Sequence, residues 1–160
     1  MKDSFIHYIV GDATDPISAG NRIIAHVCND IGAWGAGFVL EISKRWPEAC
    51  RAYTHEKQSC ALKLGTVGLV KVEKTIWVAN MVAQHGIRSR NSVPPIRYDA
   101  LRKCLAVLAE HVWALNATVH MPRIGCGLAG GRWDQVEPII RDQLAGLTVF
   151  VYDLPRKGAS

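Results

Sequence analysis

The strongest constraint on the fold is the alternation of β-type runs with helical segments along the chain. Runs rich in Val, Ile and aromatic residues predict strands, and apolar stripes at helical spacing predict helices. Several of the predicted strands are apolar throughout, as in a sheet that is covered on both faces. In the second half of the chain, the strand-then-helix order implies right-handed crossovers and parallel pairing. The sequence therefore predicts an α/β fold.

The boundaries of the elements follow from the turn signals between them. Strands are predicted at residues 5–10, 22–28, 67–72, 76–82, 118–123 and 147–152. Helices are predicted at residues 37–45, 48–58, 98–115 and 133–145. A Glu73-Lys74 turn between two neighbouring strands predicts a β-hairpin, so the sheet should be mixed rather than purely parallel.

Two of the predicted helices carry further signals. The third helix carries a row of apolar residues on one face, and this face should pack against a sheet. The residues are Leu101, Leu105, Leu108 and Val112. The fourth helix contains Pro138, which predicts a kink or a late start. His26 and His120 lie in apolar strands and are expected to be core imidazoles with hydrogen-bond partners.

The composition is that of an ordinary soluble globular domain. The chain has 160 residues, of which 49% are hydrophobic and 21% charged, so we expect one domain over residues 1–155 and a frayed tail at 156–160. It has no apolar run long enough for a membrane span, and its first residues lack the hydrophobic stretch and the small-residue cleavage site of a signal peptide. These features favour a cytoplasmic protein without a membrane partner, and we expect a monomer. Five cysteines without a Cys-x-x-Cys pair suggest neither a disulfide framework nor a zinc site.

Two glycine-rich segments are the sharpest functional signal. They cover residues 29–37 and 124–131, and each follows a predicted strand and leads toward a helix. In an α/β sheet such segments lie at the carboxyl ends of strands, where ligands bind. Glycine lets the backbone approach a phosphate, and free N–H groups at a helix start favour anions. The two segments could therefore clamp one pyrophosphate, or be tight connections without a ligand.

The charge balance agrees with an anionic ligand. Nineteen Lys and Arg residues against 14 Asp and Glu give a net charge of +5, which favours nucleotides, phosphates or nucleic acid as partners. Residues 85–98 contain Arg88, Arg90 and Arg97 and no acidic residue. This stretch is either a rim for an anionic substrate or a solvated loop.

Two other interpretations of the second glycine segment remain open. Gly125, Gly127 and Gly130 fit a dinucleotide fingerprint with Asp153 as the ribose-binding acid, although too few strands follow for that fold. Cys126 could instead be a nucleophile at a strand–turn–helix elbow, with His26 or His85 as its base. The spacing places neither histidine beside it.

Taken together, these motifs resemble those of macrodomains, the ADP-ribose-binding modules. The resemblance rests on the turn at residues 11–14, the strand end at 25–29, the glycine segment through Gly37 and the loop at 122–127. In detail, residues 24–29, 34–37 and 123–131 are similar to the branch that contains terminal ADP-ribose glycohydrolases. The resemblance implies a three-layer α/β/α domain with a mixed central sheet. It also implies ADP-ribose and ADP-ribosylated proteins or nucleic acid as partners, with no cofactor or metal.

The resemblance also assigns roles to individual residues. Asp12, which could otherwise cap its own turn, would accept the adenine amine, with the Ala13 amide beside it. The backbone of Ile124, Gly125, Cys126, Gly127 and Leu128 would hold the diphosphate. The segment from Asn29 through Gly35, Ala36 and Gly37 would wrap the distal ribose.

The enzymatic part of the resemblance has two departures. Branch members with a covalent intermediate use a lysine and an aspartate where this chain has Gln84 and Ala129. An amide cannot form a Schiff base. Direct attack by water on an ADP-ribosyl ester of Glu or Asp is the remaining chemistry, with Gln84 holding the water, Asn29 orienting the ribose and Asp30 as a base.

Three functions are compatible with these residues. The first is a hydrolase that releases ADP-ribose from acidic side chains. The second is a reader that binds ADP-ribose without turnover, and the third is a phosphatase for ADP-ribose phosphorylated at the distal ribose. A nucleic-acid-binding domain is disfavoured, because the cationic residues are scattered and do not alternate with aromatic ones.

Overall fold

The computed structural model describes residues 5–156, which form one sheet of six strands and four helices. The strands are β1 (Phe5–Val10), β2 (Arg22–Asn29), β3 (Val67–Glu73), β4 (Ile76–Gln84), β5 (Thr118–Met121) and β6 (Thr148–Asp153). The helices are α1 (Phe38–Arg45), α2 (Pro47–Gln58), α3 (Tyr98–Leu115) and α4 (Trp133–Gln143). The predicted tail at 156–160 and the start of the chain lie, apart from Arg156, outside the described residues.

The strand order is β1-β6-β5-β2-β4-β3. Every neighbouring pair is parallel except β3 and β4, which form the antiparallel hairpin. The predicted mixed sheet is therefore confirmed. Glu73 belongs to β3, and the turn is formed by Lys74 and Thr75 rather than by Glu73 and Lys74.

The helices cover both faces of the sheet, which confirms the three-layer α/β/α architecture. On one face, α3 and α4 pack over the sheet, and the predicted α3 stripe is fully buried. On the other face, Ile42, Trp46 and Ala49 of the α1–α2 layer pack against Ile24 and Val78. Burial of these side chains, rather than local propensity, stabilises the helices.

Some predicted boundaries were wrong by a few residues. The strand predicted at 118–123 ends at Met121, because Pro122 has no N–H for a sheet hydrogen bond. The fourth helix begins at Trp133, so the predicted late start at Pro138 is wrong. Buried Val136 and Ile140 hold this helix on the sheet despite the backbone donor that proline lacks. Within residues 5–156, no helix has the length and apolar character to cross a membrane.

His26 on β2 is a satisfied core imidazole, as predicted. It is 2% exposed, and its Nε2 lies 2.5 Å from Asn80 Oδ1. The Asn80 amide nitrogen donates to the Ala49 carbonyl, so Asn80 Oδ1 is the acceptor and His26 Nε2 carries the proton. Burial lowers the pKa of His26 to about 4, which keeps the ring neutral at physiological pH.

His120 on β5 is also buried and hydrogen-bonded. Its Nε2 lies 2.8 Å from Thr118 Oγ1, and its Nδ1 lies 2.7 Å from the Tyr152 hydroxyl. Burial, together with the Arg22 charge, lowers the pKa of His120 to about 4. The sheet therefore contains two imidazoles that become harder to protonate when the chain folds.

These two histidines predict acid sensitivity. Between about pH 6.5 and pH 4 the unfolded chain binds protons that the folded chain does not, so the free energy of unfolding falls as pH falls. The expected slope is about 1.4 kcal/mol per pH unit for each histidine. His26→Gln, whose amide can still donate to Asn80, should remove the contribution of one histidine. Chemical denaturation across this pH range measures the slope for the wild type and for His26→Gln. Equal slopes in the two proteins would contradict a lowered pKa of His26.

Candidate functional site

A cleft of about 730 Å³ lies at the carboxyl ends of β2, β4 and β5. Its walls are the first glycine loop (residues 29–37) and the second glycine loop (residues 124–131). This volume is typical of small-molecule sites, and the position is the usual one in α/β sheets. The structure thus brings together the two segments that the sequence singled out.

Asn29 determines the shape of the first glycine loop. Its Oδ1 accepts hydrogen bonds from the Ala33 and Ile31 amides at 2.9 and 3.2 Å, and its Nδ2 donates to the Ala33 carbonyl at 2.7 Å. The buried Tyr53 hydroxyl on α2 also contacts Asn29 Oδ1, at 2.8 Å. The Asn29 amide is therefore used to fold its own loop.

Trp34 attaches the same loop to the α1–α2 layer. Its indole Nε1 donates to Ser43 Oγ on α1 at 2.6 Å. Its ring lies edge-on to His26, with centroids 5.4 Å apart, and is tilted against Tyr53 at 5.3 Å. The first wall of the cleft is consequently packed from behind.

The second glycine loop is closed by its own backbone. The Gly131 amide donates to the Gly125 carbonyl at 2.7 Å, and the Gly130 amide donates to the Gly127 carbonyl at 3.0 Å. Gly125 has φ +72°, and a Cβ there would lie 2.9 Å from Ile96 Cδ1. Only glycine fits this position without strain.

Backbone donors from both loops are available to a ligand. Within residues 5–156, the amides of Gly127 and Leu128 make no hydrogen bond, and both residues line the cleft. Opposite them, Phe38 and Val39 are the first residues of α1, so their N–H groups have no partner within the helix. Leu128 Cδ1 lies 3.3 Å from the position of a Cβ on Gly37. The loops therefore meet across a cleft that suits an anion.

Gln84 lies at one end of this cleft. The parallel register of β2 and β4 pairs it with Asn29, and both residues line the cleft. Gln84 Nε2 donates to the Gly86 carbonyl at 3.0 Å. Gln84 is 9% exposed, and no buried side-chain oxygen of the described residues lacks a partner, so Gln84 Oε1, which has no partner among these residues, is not fully enclosed. This oxygen can accept a hydrogen bond from a water molecule.

Asp30 is directed elsewhere. Its Oδ2 lies 2.7 Å from His85 Nδ1, and its Oδ1 accepts from the Gly86 amide at 2.9 Å. Burial raises the pKa of Asp30, but the hydrogen bonds from Gly86 and His85 outweigh it and hold the pKa below its usual value. Asp30 does not line the cleft, and a carboxylate stabilised in this way is a weak base.

Asp12 and Ala13 form the turn after β1. Asp12 Oδ1 accepts from the amide and the hydroxyl of Thr14, both at 2.8 Å, so the turn-capping role is present. Asp12 Oδ2 makes no hydrogen bond to any residue between 5 and 156, and Ala13 is buried. Neither residue lines the cleft, and their role toward adenine stays a prediction.

Arg123 is a cleft residue to which the sequence patterns assigned no role. Its guanidinium pairs with both oxygens of Asp153, at 2.7 and 3.0 Å. It also lies over the rings of Tyr8 and Trp133, 5.2 and 5.1 Å from their centroids. The Asp153 carbonyl accepts from the Gly11 amide at 2.9 Å, which brings the turn after β1 to the Arg123 side of the cleft.

These contacts give no support to the two other interpretations of the second glycine loop. Asp153 is neutralised by Arg123, and the observed strand order is not that of a dinucleotide fold. Burial raises the pKa of the Cys126 thiol, and His26 and His85 are bonded to Asn80 and Asp30. Cys126 hydrogen-bonds to neither histidine and does not line the cleft, so the structure gives the nucleophile hypothesis no support.

Most of the other predicted site residues line the cleft. Those that line the cleft, besides Asn29 and Gln84, are Gly35, Ala36, Gly37, Ile124, Gly125, Gly127 and Leu128. Cys126 belongs to the second glycine loop but is not among the lining residues. The lining residues that sequence reasoning missed, in addition to Arg123, are His26, Val27, Cys28, Phe38, Val39, Ile87 and Pro122. Most of them directly precede or follow a glycine loop in the sequence, and this adjacency is the signal that could have identified them.

The sequence profile of the Macro domain family matches residues 25–140, which contain both glycine loops. The chain belongs to the Macro domain family. The match covers β4, β5 and residues 25–29 of β2, which carry the cleft, so the macrodomain resemblance is confirmed.

Curated relatives of this macrodomain differ in size. The mouse chromodomain-helicase-DNA-binding protein 1-like protein is 32% identical over 99% of this chain, which spans 19% of that protein. The ADP-ribose 1''-phosphate phosphatase of Lodderomyces elongisporus is 29% identical, over 92% of this chain and 97% of the phosphatase. An ADP-ribose glycohydrolase of Bos taurus is 26% identical over 82% of this chain and 81% of that enzyme.

Solved structures agree with this macrodomain assignment. A protein of unknown function from Bacteroides thetaiotaomicron is 50% identical, with a TM-score of 0.92 over 94% of this chain and 99% of that one. A macrodomain protein from Streptomyces coelicolor is 47% identical, with a TM-score of 0.83 over 93% of this chain and 99% of that one.

The second glycine loop predicts different effects of two alanine substitutions. A Cβ on Gly131 would overlap the Gly125 carbonyl oxygen, whereas a Cβ on Gly127 meets no atom within 4 Å. Gly131→Ala should therefore destabilise the macrodomain by about 1–3 kcal/mol. Gly127→Ala should change the free energy of unfolding by less than about 0.5 kcal/mol. Chemical denaturation of the two variants measures the difference, and equal stabilities would contradict this loop geometry.

Proposed function

We propose that this macrodomain binds ADP-ribose in the cleft and hydrolyses the ester that joins ADP-ribose to an acidic side chain. The observation that carries the proposal is the pair of glycine loops meeting across a cleft of about 730 Å³, with amides at Gly127 and Leu128 that no residue between 5 and 156 pairs. A diphosphate is the ligand group that such donors bind best. The membership in the Macro domain family supports the same ligand.

The residues at the two ends of the cleft suggest where the adenine, the diphosphate and the distal ribose of ADP-ribose would lie. The backbone of Gly125 and Gly127 would hold the diphosphate in the middle. The turn at Asp12, on the Arg123 side, would receive the adenine. The distal ribose would then lie against the first glycine loop, between Asn29 and Gln84. This placement puts the bond to be cleaved next to Gln84.

The titratable groups of the cleft favour an ester substrate. Within the part of the chain that the structure describes, they are His26, Cys28 and Arg123. Burial lowers the pKa of His26 to about 4 and raises that of Cys28, so neither is a general acid at neutral pH. A Glu or Asp carboxylate leaves as a stable anion and needs no proton. Release from an arginine side chain would need an acid that the cleft does not supply.

Water is the proposed nucleophile. Gln84 Oε1 would accept a hydrogen bond from the water molecule and hold it beside the ester. The water oxygen attacks the distal-ribose carbon that carries the ester. The bond from this carbon to the carboxylate oxygen breaks, and the water proton goes to solvent. The products are ADP-ribose and a free carboxylate. A covalent lysine adduct has no candidate here, since no lysine among residues 5–156 lines the cleft.

Two other functions have specific support. The Asn29 amide is occupied by its own loop, which favours a reader that binds ADP-ribose without turnover. The similarity to an ADP-ribose 1''-phosphate phosphatase along 97% of its length favours a phosphatase. Release of labelled ADP-ribose from a modified glutamate peptide supports the hydrolase, whereas release of inorganic phosphate from ADP-ribose 1''-phosphate supports the phosphatase. Binding without either release supports the reader.

Gly127→Glu tests the diphosphate subsite. The new side chain would enter open space in the cleft and bring a negative charge to the phosphate oxygens. ADP-ribose binding, expected in the wild type at micromolar affinity or about −8 kcal/mol, should be lost while the fold remains. Calorimetry measures the affinity, with Gly127→Ala as the matched control for the backbone. Binding by a folded Gly127→Glu variant would place the phosphates elsewhere.

Gln84→Ala tests the position of the water. Removal of the amide should slow ADP-ribose release by roughly 10- to 1000-fold, as expected for a group that positions a reactant. The affinity for free ADP-ribose should change little, which separates catalysis from binding. Single-turnover kinetics and calorimetry on the same protein give the two values.

The outcomes of this experiment discriminate the steps of the mechanism. Full activity in Gln84→Ala would remove Gln84 from the reaction but leave water as the nucleophile. An ADP-ribosyl adduct trapped by borohydride during turnover would refute direct water attack. No release by the wild type from modified glutamate would refute the hydrolase.

A further inference from the structure

A small lobe projects beside the Gln84 end of the cleft. It consists of residues 85–95 and is called the arginine lobe here. Its base is closed by a bridge between Gln84 and Ile96 and by a hydrogen bond from the His85 amide to the Pro95 carbonyl at 2.8 Å. Its tip is a tight turn closed by two hydrogen bonds between Arg90 and Val93, at 3.0 and 2.9 Å.

The arginine lobe is fixed in place from two sides. His85 contacts the Asp30 carboxylate at 2.7 Å, which joins the lobe to the first glycine loop. Arg97 donates to the carbonyls of Pro94 and Pro95, at 2.6 and 3.2 Å. Arg97 therefore supports the base of the lobe, and of the three arginines considered for a substrate rim only Arg88 and Arg90 could belong to one.

The other two arginines remain available. Residues 87–93 are all exposed, and neither Arg88 nor Arg90 forms an ion pair within residues 5–156. Ile87 lines the cleft together with Asn29 and Gln84. The lobe thus presents two cations, unpaired among the described residues, next to the end of the cleft where the carrier of an ADP-ribose would emerge.

The chemistry of the arginine lobe favours a peptide over a nucleic acid. Residues 86–95 contain no Phe, Tyr or Trp on which a base could stack. Ile87 and Val93 are 49% and 50% exposed, and aliphatic side chains of this kind contact a peptide well. Two cations are also few for a nucleic-acid backbone, which proteins bind through many phosphate contacts.

We infer that the arginine lobe recognises acidic residues that flank the modified glutamate or aspartate of the carrier peptide. This inference rests on the proposed function, because it assumes that ADP-ribose occupies the cleft with its distal ribose near Gln84. Arg88 and Arg90 attract Asp and Glu side chains on either side of the modified residue, and Ile87 contacts the peptide where it leaves the cleft. The lobe selects among ADP-ribosylated peptides, whereas the cleft binds their common group.

The test uses peptides that carry ADP-ribose on one side chain through a linkage that water does not cleave. The modified residue is flanked by Asp and Glu, by Ala and Gly, or by Lys. The acidic peptide should bind about 3- to 10-fold more tightly than the neutral one, the range expected for exposed ion pairs. The lysine peptide should bind more weakly than both, and about 0.5 M salt should remove most of the difference.

Two double variants test whether the preference for the acidic peptide comes from the arginine lobe. Arg88→Ser/Arg90→Ser should abolish the preference for the acidic peptide and leave the affinity for free ADP-ribose unchanged. Lys71→Ser/Lys74→Ser removes the same charge from β3 and its turn, at the opposite end of β4 from the cleft, and should keep the preference. Affinities are measured by calorimetry on the full chain.

Three results would overturn the inference. The first is equal affinity for the three peptides with normal ADP-ribose binding. This result refutes peptide recognition by the lobe and leaves the proposed function standing. The second is the same loss of preference in the Lys71 and Lys74 control, which reduces the effect to net charge. The third is a larger arginine-dependent gain on an ADP-ribosylated single-stranded oligonucleotide, which assigns the lobe to nucleic acid. Failure of free ADP-ribose to bind would refute the proposed function and this inference together.

Discussion

Parallel pairing of β2 with β4 is the constraint on which the cleft depends. It places the carboxyl ends of the two strands side by side, with Asn29 opposite Gln84. The Asp30 amide continues the pairing by donating to the Gln84 carbonyl at 2.9 Å. Because β5 lies on the other side of β2, the second glycine loop emerges next to the first. A change in strand order would separate these loops even if each kept its own conformation.

The hydrogen-bond donors that the cleft offers to a ligand are largely backbone amides, and this limits its chemistry. Asn29 folds the first glycine loop, Asp30 is bound by His85 and Gly86, and His26 is neutral and bonded to Asn80. Asp30 and His26, which could have been a base or an acid, are thus used to support the structure, as is the Asn29 amide. A site of this kind suits a bond whose leaving group is already stable, with the substrate supplying most of the reactivity.

Much of the fold was predictable from local patterns, but side-chain pairing was not. The α3 stripe from Leu101 to Val112 fixed both the helix and its buried face, and both glycine loops were found from their place after strands. Arg123 was missed because its role comes from Asp153, Tyr8 and Trp133, which are distant in sequence. Asp30 was assigned as a base for the same reason, since its partner His85 lies on another loop. Sequence indicates which residues reach the rim of a sheet, and tertiary contacts decide which of them remain available.

The way in which the arginine lobe is attached has an evolutionary consequence. Its base is held by the Gln84–Ile96 bridge and by Arg97, whereas its tip makes hydrogen bonds only within itself among the described residues. Substitutions or insertions between Ile87 and Val93 would therefore leave the sheet and both glycine loops unchanged. With the carrier recognition inferred for the lobe, duplicated genes could diverge in this short stretch and acquire different peptide preferences while retaining one ADP-ribose-binding core. Diversity among close homologues is expected to concentrate there.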